Sequence, residues 1–394
     1  MTTEKKRILS IDILRGLVMV IMALDHTRDF FHASGMSDPM NPDGTTIPLF
    51  FTRLITHYCA PTFVFLSGIS AYLSSQNKDP KQASLFLIKR GFWLLFVEIV
   101  IITFGLTFNP FYNLVILQVI WSIGWSMILL GLLSRISYRL VAVIGLILFF
   151  GHNILNYISI DPKTFLGSFI DLTLTTRAQF IPIGDQHIIG VFYTILPWTG
   201  VMFVGFAIGK WYSAAFDEVK RKRYLFYSGL GLFVSFLVLR YFSLYGNPEP
   251  RKDYGDALKN FFDFLNVSKY PPSLQYLGMT LGPALMLLSV IENVKNRFAR
   301  IMMVYGKVPF FYYVLHFYVI HVIVVICFFA HGYGTKDIAD PNIPFLFRPA
   351  TFGYVLPIVY LIWLSIVAIL YRPCVWFQNI NRHIHNGGLA ICKV

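Results

Sequence analysis

The chain has 394 residues, of which 56% are hydrophobic and only 13% charged, with a formal net charge of +13. That balance excludes an ordinary soluble domain. The excess positive charge does not mark a nucleic-acid surface, because the Lys and Arg residues gather in the polar segments between apolar runs.

Runs long enough to cross a bilayer, about twenty residues each, recur from end to end. They fall at 12–32, 50–73, 85–106, 112–133, 138–157, 189–209, 224–244, 272–291, 308–330 and 351–371. Short segments with period-two alternation, the sign of a membrane barrel, are not seen. The predicted fold is an all-α polytopic integral membrane protein with about ten transmembrane helices. With the first span leaving from the cytoplasm, Lys5–Arg7, Lys78–Arg90, Lys210–Arg223, Lys295–Lys307 and the basic tail share the cytoplasmic side, as the positive-inside rule requires. Both termini are therefore expected in the cytoplasm, and residues 1–394 form one transmembrane domain in the cell (inner, cytoplasmic) membrane. The longest polar interruptions, 158–188 and 245–271, are expected outside and are too short to fold a core of their own.

The first span reads "SIDILRGLVMVIMALDHTRDFFHAS" from Ser10 to Ser34. On a helix, Arg15 and His26 differ by about 20° in direction and about 16 Å in height, so they share one stripe. Asp25, Asp29 and His32 form a second stripe, with Asp29 within reach of both His26 and His32. Ionisable groups inside a membrane are costly and usually face a cavity or a partner. A carboxylate beside a histidine sets its tautomer and basicity, as a general base requires. The plainer alternative is that Arg15 snorkels to the headgroups and the Asp25–His32 stretch is a solvated helix end.

Further along, His57 precedes "YCAPTFVFLSG", where Pro61 is expected to bend the second span. Glu98 stands alone in the third span and is expected to pair with another helix or face the cavity. Trp121, Trp125, Trp198 and Trp211 suit interfacial anchoring or packing. Lys269 and Tyr270 sit in "SKYPPS" at the entry to the eighth span. His316 and His321 lie on different faces of the ninth. Cys59, Cys327, Cys374 and Cys392 show no metal or redox spacing, and His383 with His385 lacks further ligands, so no metal is expected.

Several stretches resemble one family. "RILSIDILRGLVMVIMALDHTRDFFHAS", "APTFVFLSGISAYL" (Ala60–Leu73), "LPWTGVMFVGFAIGKWY" (Leu196–Tyr212), "SKYPPSLQYLGMTLG" (Ser268–Gly282) and "YGKVPFFYYVLH" (Tyr305–His316) are similar to the membrane family of heparan-alpha-glucosaminide N-acetyltransferase, in its bacterial branch. The resemblance implies acetyl transfer from cytosolic acetyl-CoA to a sugar amine across the membrane. It also marks His32, because the family's essential histidine lies in an "HAS" context. Gly35 stands where the family has Trp. The Arg15-x10-His26 spacing is similar to that of bacterial membrane sugar O-acyltransferases, so O-acetylation of a glycan is the second chemistry.

The expected assignment follows. His26 or His32 acts as the base, or carries the acetyl group, with Asp25 or Asp29 orienting the ring. Arg15 and His316 are the candidates on the coenzyme A side, and His57, Lys269 and Tyr270 those for the acceptor. Acetyl-CoA is the cosubstrate, membrane lipids and an extracytoplasmic sugar or glycan are the partners, and a homo-oligomer is compatible with this architecture. The rival readings are a transporter or flippase of a small polar or lipid-linked substrate, and a membrane scaffold.

Overall fold

The computed structural model describes residues 8–35, 37–76, 78–158, 164–175, 179–184, 186–340 and 343–386. Among them, six helical stretches are long and apolar enough to cross a membrane: Ile47–Ser75, Tyr138–Tyr157, Glu218–Tyr241, Leu274–Asn293, Pro309–Ala330 and Leu356–Asn381. Each covers one of the ten expected spans.

The other four expected spans depart from simple apolar helices for identifiable reasons. The opening helix, Leu9–Phe31, has 23 residues, enough to cross, but Asp12, Arg15, Asp25, Arg28 and Asp29 make it too polar to count by composition. Pro80–Phe96 runs on through widened π turns at Val97–Ile102 into Thr103–Thr107. Val119–Ser134 and Ile195–Gly209 are short, at 16 and 15 residues.

The all-α expectation needs one amendment. The segments ahead of those two short helices are strands, β1 (Leu114–Leu117) and, after β2 (Gln179–Ile183), β3 (His187–Val191). Their order is β1-β3-β2, with β1 parallel and β2 antiparallel to β3. Val115, Ile116, Ile188, Ile189 and Val191 favour extended backbone, and pairing the strands satisfies the peptide groups that leaving the helix exposes.

The second expected span is also broken. Its helix stops at Thr56 and restarts at Cys59. Pro61 then falls in the first turn of the restarted helix, where its missing N–H costs nothing. The chain therefore breaks ahead of the proline instead of bending at it.

The opening helix packs at the centre of the bundle. It meets the helix Arg297–Lys307 backbone to backbone. A Cβ built on Gly16 would lie 1.8 Å from the Met302 carbonyl oxygen, and one on Gly306 1.8 Å from the Asp12 carbonyl oxygen. Only glycine allows that approach. Trp363 of the last long helix donates its indole N–H to the Val20 carbonyl at 2.8 Å. One apolar cluster runs from Ile11 to Cys374.

The far end of the opening helix is strapped down. Tyr354 donates its N–H to the Phe31 carbonyl at 2.7 Å and accepts from Ala33 N–H at 3.0 Å. The buried Arg348 guanidinium donates to the carbonyls of Phe30 (2.9 Å) and His32 (3.1 Å). Inside the polar stretch 245–271 lies a helix, Ala257–Leu265, whose Phe262 stacks on Phe50 with 3.9 Å between centroids. That segment thus docks onto the bundle and has no core of its own.

Candidate active site

Two connected hollows open at the His26 end of the opening helix. An outer cleft of about 280 Å³ is lined by Asp29, Arg53, Phe192, Tyr270 and Phe345 among others. Below it lies an inner pocket of about 40 Å³, bordered by Met19, Met22, Cys59, Phe63 and Tyr313. Asp25, His26, Gln118, Tyr193 and Lys269 line both. The inner pocket has room for roughly two or three heavy atoms, the size of an acetyl group. The sheet builds one wall: Ile116 comes from β1, Gln118 follows it, and Phe192 and Tyr193 follow β3.

His26 is held by a second histidine. Its Nδ1 lies 2.7 Å from Nε2 of His316, and the ring stacks on Phe317 at 4.5 Å. The His316 Nδ1 meets the Tyr313 carbonyl oxygen. A carbonyl only accepts, so His316 Nδ1 carries the hydrogen and His316 Nε2 is bare. It follows that His26 Nδ1–H donates to His316, which leaves the lone pair of His26 Nε2 available as a proton acceptor. The tautomer is assigned by the hydrogen-bond chain. No carboxylate takes part in this chain.

The carboxylates do other work. Asp25 is buried with both carboxylate oxygens on Nη1 of Arg53, accepts from the Thr56 hydroxyl at 2.9 Å and lies 3.2 Å from Arg28. Asp29 pairs with Arg28. Asp25 thereby fixes the opening helix to the Ile47–Thr56 helix, and both carboxylates border the outer cleft beside His26. Lys269 meets no carboxylate among the described residues; its ammonium lies 5.1 Å from the Tyr270 ring centroid, which leaves a cation facing both hollows.

His32 is placed differently. It caps the opening helix beyond Phe31 and lines neither hollow. The Ser34 N–H reaches its Nδ1 at 3.1 Å and the Ser34 hydroxyl lies 2.6 Å away. Since N–H only donates, Nδ1 is bare but covered, and in the neutral ring Nε2 carries the hydrogen. His32, outside the membrane-spanning stretch, has a pKa below the ordinary histidine value, mainly through burial, with Arg28 and Arg348 adding to the effect. His57 is buried behind the break in its helix, where Nδ1 donates to the Arg53 carbonyl at 2.7 Å. His321 donates to the Leu346 carbonyl and stacks on Phe108. Both are packed, hydrogen-bonded rings. The side chains of His383 and His385 fall outside the described residues.

At the other end of the helix, Arg15 reaches Asp12 and the Gly306 carbonyl, both at 3.2 Å, and the Ser70 hydroxyl at 2.5 Å. It ties three helices together. Arg90 lies within its electrostatic reach and meets no carboxylate among the described residues. Sequence reasoning had not singled out Arg53, Arg90, Gln118 or Tyr313 for the site. The Arg53–Asp25 pair spans 28 residues, with no local spacing to announce it.

Residues 7–238 match the family model for heparan-alpha-glucosaminide N-acetyltransferase, catalytic. The match covers more than half of the chain, and the chain belongs to that family. No curated protein sequence matches it. The membership makes it an acetyltransferase, and the apolar helices make it a multi-pass membrane protein.

Proposed function

We propose that this acetyltransferase moves an acetyl group from acetyl-CoA, approaching from the Arg15 end, to the amine of an amino sugar held in the cleft at the His26 end. The observation that carries the reading is the His316–His26 chain, which leaves His26 Nε2 as an oriented base beside a pocket of acetyl size. The Arg15–Arg90 pair supplies positive charge for the coenzyme's phosphates, with the cytoplasm on that side. The vertical distance of about 16 Å between Arg15 and His26 is of the order of a pantetheine arm.

The step balances as follows. His26 Nε2 takes a proton from the acceptor amine as its nitrogen bonds to the acetyl carbonyl carbon. The carbon–sulfur bond breaks and the same proton passes from the imidazolium to the thiolate, giving free coenzyme A. His316 stabilises the imidazolium through Nε2, the part an aspartate plays in a serine-protease triad. Lys269 and Tyr270 hold the acceptor in the outer cleft, and the Asp25–Arg53 pair keeps the floor rigid. His32 serves as part of the strap, because its bare nitrogen is covered by Ser34.

Purified protein incubated with radiolabelled acetyl-CoA and a panel of amino sugars tests this directly. Release of free coenzyme A with an N-acetylated sugar is the expected result. O-acetylated product would replace the acceptor assignment. An intact thioester, with counterflow of unmodified substrate in proteoliposomes, would replace the transferase reading by transport.

A further inference from the structure

Acyl transfer at His26 requires donors for the oxygen of the tetrahedral intermediate, and three residues that border the inner pocket carry unengaged polar groups. The Gln118 side-chain amide makes no hydrogen bond among the described residues, although Gln118 borders both hollows. The Tyr313 hydroxyl is buried without a partner, and Tyr313 borders the inner pocket. The Lys269 ammonium has only the Tyr270 ring. A buried hydroxyl without a partner is costly, and beside the pocket a ligand oxygen would complete it.

Two of these groups are held in place by the machinery already described. Gln118 N-caps the helix Val119–Ser134, and its backbone N–H donates to Glu98 Oε1 at 2.5 Å. Glu98 is fully buried on the π turns Val97–Ile102, so a buried carboxyl group behind the pocket fixes the backbone of Gln118 while its amide stays unengaged. Tyr313 receives His316 Nδ1–H on its carbonyl, so the residue that orients His316 also carries the unpaired hydroxyl. Lys269 borders the outer cleft as well, which suits it to the acceptor.

We propose that the Tyr313 hydroxyl and the Gln118 side-chain amide donate to the acetyl carbonyl oxygen and hold it as it becomes an oxyanion. This rests on the acetyl-transfer reading. As the acceptor nitrogen attacks, the carbonyl π electrons move to that oxygen, the two donors stabilise the charge, and the electrons return as the carbon–sulfur bond breaks. Glu98 is a positioning residue and touches no substrate.

Tyr313→Phe removes one oxygen that has no partner, and Gln118→Leu leaves the backbone bond to Glu98 in place, so both variants keep the packing. Each is expected to lower kcat by about 10²-fold, with KM for acetyl-CoA within about threefold. The second readout is infrared: a non-transferable ketone analogue of acetyl-CoA, labelled with ¹³C at the carbonyl, is bound to the intact protein. Its carbonyl stretch is expected to shift to lower frequency in the wild type and to return towards the free value in each variant. If wild-type protein neither binds the analogue nor releases coenzyme A from acetyl-CoA, the transferase reading fails and this assignment with it. If wild-type protein does both and the variants keep the shift and a kcat within twofold, the donors are wrong and the transferase reading stands.

Discussion

Asp25 and Arg53 close an ion pair between the opening helix and the short helix ahead of the break at His57, in a site from which both side chains are largely shielded. Removing one partner strands the other charge, at a cost of about 3–5 kcal/mol. Asp25→Ala and Arg53→Ala should each lower the unfolding temperature in detergent markedly. A double change to Leu and Met should recover a large part of that loss. A double variant no better than either single one would mean that the pair is not the element that matters.

The histidine chain makes a prediction about rate rather than stability. His316→Phe removes the acceptor that sets the His26 tautomer while retaining an aromatic ring beside Tyr312 and Phe317. Coenzyme A release should fall by about 10²-fold or more, with acetyl-CoA affinity preserved. His26→Ala should lose at least as much. Full turnover in either variant would remove His26 from the base role.

His32 should behave otherwise. His32→Asn keeps a side-chain acceptor for the Ser34 N–H, and its turnover should stay within about tenfold of wild type. A loss equal to that of His26→Ala would move the base to His32.

The depressed pKa of His32 also has a sign. The unfolded chain takes up a proton near pH 6.5, whereas the folded chain does so only at lower pH. Its contribution to stability is therefore full above about 6.5 and declines as pH falls towards the folded value. Arg28 and Arg348 face the ring and oppose its protonation, with Asp29 near enough to temper both. Denaturation curves of wild type and His32→Asn between pH 7.5 and about 5 should converge towards the acid end. A wild-type ring that titrates at or above the ordinary histidine value by NMR would reverse the sign.

The glycine crossing gives a packing test. Gly306→Ala pushes a methyl group into the Asp12 carbonyl, and the fixed backbones can only separate. A loss of about 1–3 kcal/mol, or failure to fold, is expected. Gly231→Ala, with nothing within 4 Å of the added carbon, should be neutral or stabilising by up to about 1 kcal/mol.

Hydrophobic run length made most of the helical architecture legible. It missed β1 and β3 within the expected spans because a run of Leu, Val and Ile has the same hydropathy when extended as when coiled. Arg15 with His26, and "YYVLH" with His316, each stood out as a local pattern. Nothing in either says that the two rings meet, since 290 residues separate them and only folding brings them together. Gln118 and Tyr313 were unreadable for a related reason: an uncharged donor in an apolar run looks like packing until its lack of a partner is seen. His32 shows the opposite limit. Its position was legible, but the Ser34 contact that covers its bare nitrogen depends on backbone geometry at the helix end.

The proposed base, His26, and the His316 ring it bonds to come from opposite ends of the polypeptide, and the family match at residues 7–238 contains only the first. While the chain is being synthesised, the nascent protein already displays His26, yet that imidazole has no fixed tautomer until His316 has emerged and docked. On the proposed mechanism the transferase stays inert through most of its own translation, and a product cut short after residue 238 would insert into the membrane without consuming its donor.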